Sequence, residues 1–290
     1  MKYNGKTGVA GLVMKIPDKR MATEPYLGCR RKNMLHQTAE TWRPPLFSRP
    51  EGLAGKLTPA ARRFLDLQAG SIWRDLAGTL PRARGAVLDV GCGAQPYREL
   101  FSGATSYRGI DALEAKVHFG YENSDTCYFA GDTWPVEDAS VDFILCTETL
   151  EHVPEPRKFL AEAYRCLAPG GTLLLTVPFA ARWHFIPYDY WRFTPSCLER
   201  LLCDAGFSGP RVYARGNAVT VACYKVMALL LRLALPQGKR LPARLALQVA
   251  SLPFLPVLLT LAVSANLSLL GQGGEDCLGY TVLAIKRYTG

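Results

Sequence analysis

Asp89, Asp111, Asp132 and Glu148 follow one another through residues 87–148, and a glycine pair sits beside the first of them. The run Val87-Leu88-Asp89-Val90-Gly91-Cys92-Gly93-Ala94-Gln95-Pro96-Tyr97 reads as a strand ending near Asp89, a tight turn, and a helix opening at Pro96. Glycines at 91 and 93 let the backbone approach a bound molecule, and a helix N-terminus would offer free N–H groups. Asp111 closes a second short strand, Tyr107–Asp111, 22 residues after Asp89. An acid there can accept hydrogen bonds from both hydroxyls of a ribose. A dinucleotide loop needs a third glycine at position 96, where this chain has proline, so a nicotinamide cofactor is disfavoured.

A second chemical stretch is Phe179–Pro195, which carries His184, Tyr188, Asp189, Tyr190, Arg182 and Arg192 among aromatic residues. An apolar wall with a few polar groups suits a substrate pocket. An aromatic lid held by an Asp189–Arg192 ion pair is the competing reading. If the acceptor is a hydroxyl, a base within hydrogen-bond reach assists its reaction, with His184 first and Tyr188 or Tyr190 next. Arg182, Asp189 and Arg192 are the candidate substrate contacts, the arginines suiting an acidic or phosphorylated acceptor.

These residues need elements to hold them. Strands are expected near 86–90, 107–111, 126–130, 141–146 and 172–178, alternating with helices, and then at 210–215 and 279–286. Short apolar runs between helical patterns predict a parallel sheet covered on both faces, which is an α/β doubly wound architecture. Ligands bind such sheets beyond the carboxyl ends of the strands, where Asp89, Asp111, Asp132 and Cys146 fall. Thr58-Pro59 opens a helix that runs to Gly78. Glu155-Pro156 opens another, over 156–167, and Thr194-Pro195 a third that ends near Asp204.

In order and spacing, Asp89–Gly93, Asp111, Gly131–Pro135, Cys146–Val153 and Leu167–Pro178 resemble the class I S-adenosylmethionine-dependent methyltransferases, notably the ubiquinone and menaquinone group. The resemblance covers roughly residues 85 to 207. It implies a Rossmann-like seven-stranded sheet, whose closing antiparallel edge strand would be 279–286, and S-adenosylmethionine as cofactor. It implies that Gly91 and Gly93 face the methionine part and that Asp111 holds the ribose, with Asp89 and the loop's spacer Cys92 also in the cofactor site. Asp132 would meet the adenine amino group, with Thr133 and Trp134 beside the ring. Cys146, Thr147 and Glu148 would line the cofactor at the fourth strand. The Tyr188–Thr194 run also resembles methyltransferases of bacterial polysaccharide and envelope gene clusters. An Asn-Pro-Pro-Tyr motif is absent after the fourth strand, which disfavours nucleobase amino methylation. A non-catalytic, membrane-recruited methyltransferase-like scaffold and a protein or RNA methyltransferase are the alternatives to a small-molecule, lipid-linked or glycan O-methyltransferase.

The chain has 290 residues, 49% of them hydrophobic, which is enough for one large α/β core with additions. Its nine cysteines show neither CxxC pairing nor metal-like spacing, as expected of reduced thiols in the cytoplasm. The expected organisation is a basic arm over 1–57, a methyltransferase core over 58–217, a hydrophobic helical insertion over 218–272, and a last strand within 273–290. No Asp or Glu occurs from Ala205 to Gly274. Two apolar segments in that stretch flank the basic turn Gln237–Arg244. Interfacial helices with basic side chains on anionic headgroups fit this pattern, which predicts docking on the inner face of the cytoplasmic membrane. A helical subdomain packed on the enzyme or on a second copy, as a homodimer, is the alternative. Nucleic acid is not expected as a partner, because the basic arm lacks interleaved aromatics.

Overall fold

In every strand that carries a candidate residue, side chains are buried toward the carboxyl end. The computed structural model describes residues 52–119, 123–234 and 248–288. Seven strands form one sheet in the order β3-β2-β1-β4-β5-β7-β6. They are β1 Gly85–Val90, β2 Ala104–Ala112, β3 Thr126–Phe129, β4 Val141–Thr147, β5 Leu167–Pro178, β6 Ser208–Arg215 and β7 Gly279–Ile285. Strands β1 to β5 pair in parallel. Strand β7 runs antiparallel to both β5 and β6, so β6 points the same way as β1. The last strand is therefore not at the edge, as expected from the sequence, but lies inside the sheet. Residues 280–284 read Tyr-Thr-Val-Leu-Ala and are largely buried, which suits a strand covered on both faces. The edge falls to β6, whose residues alternate between half-buried and exposed.

The helices are α1 Gly52–Leu65, α2 Leu67–Thr79, α3 Leu113–Phe119, α4 Pro156–Cys166, α5 Pro195–Asp204, α6 Ala218–Ala234 and α7 Leu255–Ser268. The single helix expected from Thr58 to Gly78 is two helices, and the first begins inside the predicted arm. Asp66 breaks them, because its extended backbone and side chain, which accepts from the Ala69 amide at 3.2 Å, cap α2. Thr194 caps α5 in the same way, accepting from the Cys197 amide at 3.3 Å, with Pro195 as the first helical residue. On one face of the sheet, α4 and α5 bury Leu160, Ala163, Leu198 and Leu202 against Leu88, Ile144 and Leu175. On the other, α2 sets Ile72 and Leu76 against Val87, Leu145 and Leu174.

The segment expected as an insertion packs on this second side. Val221 and Met227 of α6 and Leu258, Ala262 and Ala265 of α7 share a core with Leu67 of α2 and with Leu278. Asn266 Nδ2 donates to the Phe64 carbonyl at 3.0 Å, and the hydroxyls of Thr220 and Ser268 lie 2.6 Å apart. The outward faces of the same helices carry Val226, Leu229, Leu255, Leu259, Val263 and Leu267, all exposed. Among the described residues, one helical stretch, Gln248–Ser268, is long and apolar enough to cross a membrane. The basic turn at Lys239, Arg240 and Arg244, and the arm over 1–51, lie outside the described residues.

Candidate active site

Asp89, Asp111, Glu148 and Arg215 lie at or just past the carboxyl ends of β1, β2, β4 and β6. Because these strands run in one direction, all four are delivered to one edge of the sheet. The glycine loop is held there by hydrogen bonds. The Gly91 amide donates to Ile110 O at 2.9 Å, and the Gly93 amide to Asp111 Oδ2 at 2.9 Å. Asp111 Oδ1 accepts from the Ala112 amide at 2.8 Å. Both glycines have positive φ, +68° at Gly91 and +49° at Gly93. The helix expected to open at Pro96 is absent. The chain turns instead into a short 3₁₀ segment, Arg98–Leu100. The cause is Gln95, which adopts φ +55° and donates from Nε2 to Thr126 Oγ1 of β3 at 3.0 Å. Gln95-Pro96 is where the sequence departs from the family's glycine loop, and the bond from Gln95 to Thr126 is what that departure does.

Asp89 is buried. Tyr107 donates to its Oδ2 at 2.5 Å, while its Oδ1 has no partner among the described residues. Burial pushes this carboxyl up to about 7 despite the Tyr107 hydrogen bond. Burial raises the Asp111 carboxyl as well, against the pull of the two amides. Cys92 is packed inward, its thiol 3.5 Å from Thr126 Oγ1, and burial raises that thiol far above its usual range. Cys146 is equally buried in β4.

The residues expected on the adenine side are Asp132, Thr133 and Trp134. Asp132 and Thr133 are exposed, and Asp132 Oδ2 holds Lys158 Nζ at 2.9 Å. Trp134 is 3% exposed, with its ring edge-on to Phe159 in the core. It backs this corner and is not an open stacking surface. Thr147 ends β4, half-buried, and Glu148 follows at φ +47° with its amide on Thr176 O at 3.0 Å. Glu148 Oε1 accepts from Arg215 Nη2 at 2.9 Å. Arg215 also donates to Val177 O, and its Nε and Nη1 are buried without a partner among the described residues. Sequence reasoning missed Arg215, since nothing local marks a residue 67 positions from its partner.

The loop after β5 is laced to the short 3₁₀ turn Leu150–His152 that follows β4. The amides of Tyr190 and Trp191 donate to Glu151 O, and Trp191 Nε1 donates to Val153 O at 2.9 Å. His152 Nδ1 meets Tyr188 O at 2.9 Å. Within the loop, Arg192 grips Asp189 through two hydrogen bonds of 2.6 and 2.8 Å. The His184 amide donates to Asp189 Oδ2 at 2.9 Å. Burial would raise the Asp189 carboxyl, but Arg192 and His184 outweigh it and hold it well below the usual range. Asp189 and Arg192, expected as acceptor contacts, thus hold the loop itself, because the Asp189 side chain is fully buried and Arg192 is committed to it. Arg182, Tyr188 and Tyr190 are exposed. His184 and His152 stand edge-to-face with ring centroids 4.9 Å apart. Burial opposes charge on His184, yet Asp189 raises its pKa, whereas burial lowers His152 to about 4.

A family profile described as a methyltransferase domain matches residues 61–208, from α1 to the first residue of β6. The chain belongs to the S-adenosylmethionine-dependent methyltransferases. The match takes in the glycine loop, every acid at the strand ends and the loop after β5, and it stops before α6 and α7. The ubiquinone biosynthesis O-methyltransferase of Thiobacillus denitrificans is 31% identical over 126 residues, covering 40% of this chain and 49% of that one. The Homo sapiens thiol S-methyltransferase TMT1B is 26% identical over 166 residues, covering 52% and 65%. The chain thus spans less than two thirds of the length of either relative. A solved S-adenosylmethionine-dependent methyltransferase of Archaeoglobus fulgidus aligns at a TM-score of 0.47 and 16% identity, covering 79% of this chain and 99% of that one.

Proposed function

We propose that this methyltransferase moves the methyl group of S-adenosylmethionine to a hydroxyl of a small-molecule, lipid-linked or glycan acceptor seated under the loop 179–195. The observation that carries this reading is the joint placement of Asp89, Asp111 and the glycine loop at the sheet edge that also bears His184. The residues fit the cofactor. Asp89 Oδ1 is a buried acceptor without a donor, which suits the ammonium of the methionine part. Asp111 would hold the ribose hydroxyls, and Gly91 and Gly93 supply the positive φ that turns the loop past the strand end where the methionine part would lie. When bound, the cofactor supplies an already activated methyl group, so the chain's own task is to align the acceptor and exclude water.

His184 is the residue we assign to activating the acceptor. Its Nδ1 faces only acceptors, Arg182 O at 3.0 Å and Asp189 Oδ2 at 3.1 Å. That fixes the proton on Nδ1 and leaves the Nε2 lone pair available. His184→Ala is expected to lower turnover by about 10²–10⁴-fold while S-adenosylhomocysteine affinity stays within about twofold. Full activity of the variant across the pH range would return His184 to a structural role.

The apolar outer face of α6 and α7 supports a lipid-borne acceptor. It lies in a 70-residue stretch without a carboxylate, from Ala205 to Gly274, with the basic residues Lys239, Arg240 and Arg244 between the helices in sequence. We read it as a face that docks on an anionic membrane. Leu259→Glu with Val263→Glu changes two exposed positions of α7. The double variant is expected to lose flotation with vesicles containing anionic lipid and to keep S-adenosylhomocysteine binding. Equal flotation of variant and wild type would remove the membrane from this reading.

A further inference from the structure

We propose that Glu151, His152 and His184 form a binding site for one divalent transition-metal ion of the zinc or ferrous kind. Glu151 and His152 come from the 3₁₀ turn after β4, and His184 from the loop after β5. One donor atom from each lies within 4.8 Å of the other two. His152 Nε2 is 3.5 Å from Glu151 Oε1.

Three independent features point to a cation. The first is Glu151, fully buried, with both carboxylate oxygens lacking a hydrogen-bond partner among the described residues. A buried carboxyl group with neither oxygen met by a donor is a costly arrangement that a bound cation would relieve. The nearby guanidinium of Arg192 does not fill that role, since it is bound by Asp189 and by the carbonyls of Arg182 and Trp191. The second is the state of the two imidazoles. Each Nδ1 meets only oxygens that accept, Tyr188 O for His152 and Arg182 O with Asp189 Oδ2 for His184. Both rings therefore carry their proton on Nδ1 and present Nε2 as a donor to a metal, the arrangement in which outer hydrogen bonds orient ligating histidines. The third is access, since the side chains of His152 and His184 are 17% and 24% exposed. Two imidazoles and one carboxylate suit zinc or ferrous iron better than magnesium or calcium, which prefer oxygen.

This inference rests on the reading of the loop 179–195 as the acceptor site. Three protein ligands leave a coordination position open. An acceptor hydroxyl placed there would release its proton to bulk water at neutral pH, so an ion held on His184 Nε2 would take over the activation assigned above to that nitrogen alone.

The test uses the full chain after chelator treatment, titrated with Zn²⁺ or Co²⁺ alone by calorimetry and, for cobalt, by visible absorption. One ion per chain is expected, with tetrahedral or five-coordinate cobalt bands. His152→Ala and His184→Ala remove half-buried donors, and each should weaken binding by more than the roughly 10–100-fold that loss of an outer-shell partner brings. S-adenosylhomocysteine binding is measured on the same samples. Uptake of no ion by a wild type that binds S-adenosylhomocysteine would overturn the metal site and leave the methyltransferase reading intact. Uptake unchanged in both histidine variants would overturn it as well. A wild type that fails to bind S-adenosylhomocysteine would instead count against the proposed function.

Discussion

Gly91→Val is expected to abolish S-adenosylhomocysteine binding in a protein that keeps its sheet. A Cβ at position 91 would lie 2.3 Å from Thr149 Oγ1 and 2.5 Å from Thr149 Cγ2, inside any allowed contact. Thr149 cannot swing away freely, because its hydroxyl donates to Thr147 O at 3.0 Å. The backbone at Gly91 also has φ +68°, which a β-branched residue does not adopt without strain. The loop must therefore move. That movement breaks the Gly93 amide to Asp111 bond and misplaces the carboxylate assigned to the ribose. Gly131→Ala is the control. Its φ is +90°, but a Cβ there meets nothing within 4 Å, so the cost is confined to backbone strain of about 1–2 kcal/mol and binding should persist. Calorimetry on both variants decides the matter. Wild-type affinity in Gly91→Val would show that the loop is not part of the cofactor site.

That clash also shows what kind of information the sequence lacked. Glycine at 91 was legible as a position of close approach, but the approaching group is Thr149 of the same chain. The alternation of strands and helices was readable because parallel strands covered on both faces must be short and continuously apolar, as Phe143-Ile144-Leu145-Cys146 is. The acids at strand ends were readable because sequence order fixes which end of each strand carries the ligand. Insertion of β7 between β5 and β6 was not, since antiparallel pairing leaves no local mark. The family resemblance sets Trp134 beside the adenine ring, whereas the core opposite, at Phe159, takes its side chain. The aromatic loop could be read either as a pocket or as a lid with an internal Asp189–Arg192 pair. The structure contains that pair, and Asp189 also holds His184, whose Nδ1 meets Arg182 O and Asp189 Oδ2. Glu151 carries no mark in the sequence, because an acid before a histidine in a turn reads as solvent-facing until the turn is buried.

Glu148→Ala is expected to lower stability by about 3 kcal/mol, the lower end of what removing one partner of a buried ion pair brings. The lower end applies because the Glu148 side chain is 27% exposed, so water reaches part of the pair. Arg215 is the reason for a large effect. Its side chain is 1% exposed, and two of its three guanidinium nitrogens have no partner among the described residues. Without Glu148 it keeps, among the described residues, only the Val177 carbonyl, at 3.0 Å, and no carboxylate faces its charge there. For a chain of this size the loss corresponds to roughly 6–12 °C in the midpoint of thermal unfolding. Glu148→Gln retains an acceptor for Arg215 Nη2 and should fall between wild type and Glu148→Ala. Adding Arg215→Leu to Glu148→Ala removes the stranded charge, and the double variant should regain stability over the single one. A double variant that melts below Glu148→Ala would assign the loss to packing around β6 and not to the ion pair. Thermal denaturation of the four proteins at one pH separates these outcomes. The recovery expected in the double variant is structural only. Glu148 and Arg215 tie the end of β4 to the end of β6, so cofactor affinity should follow the order of that tie and stay weakened where stability returns.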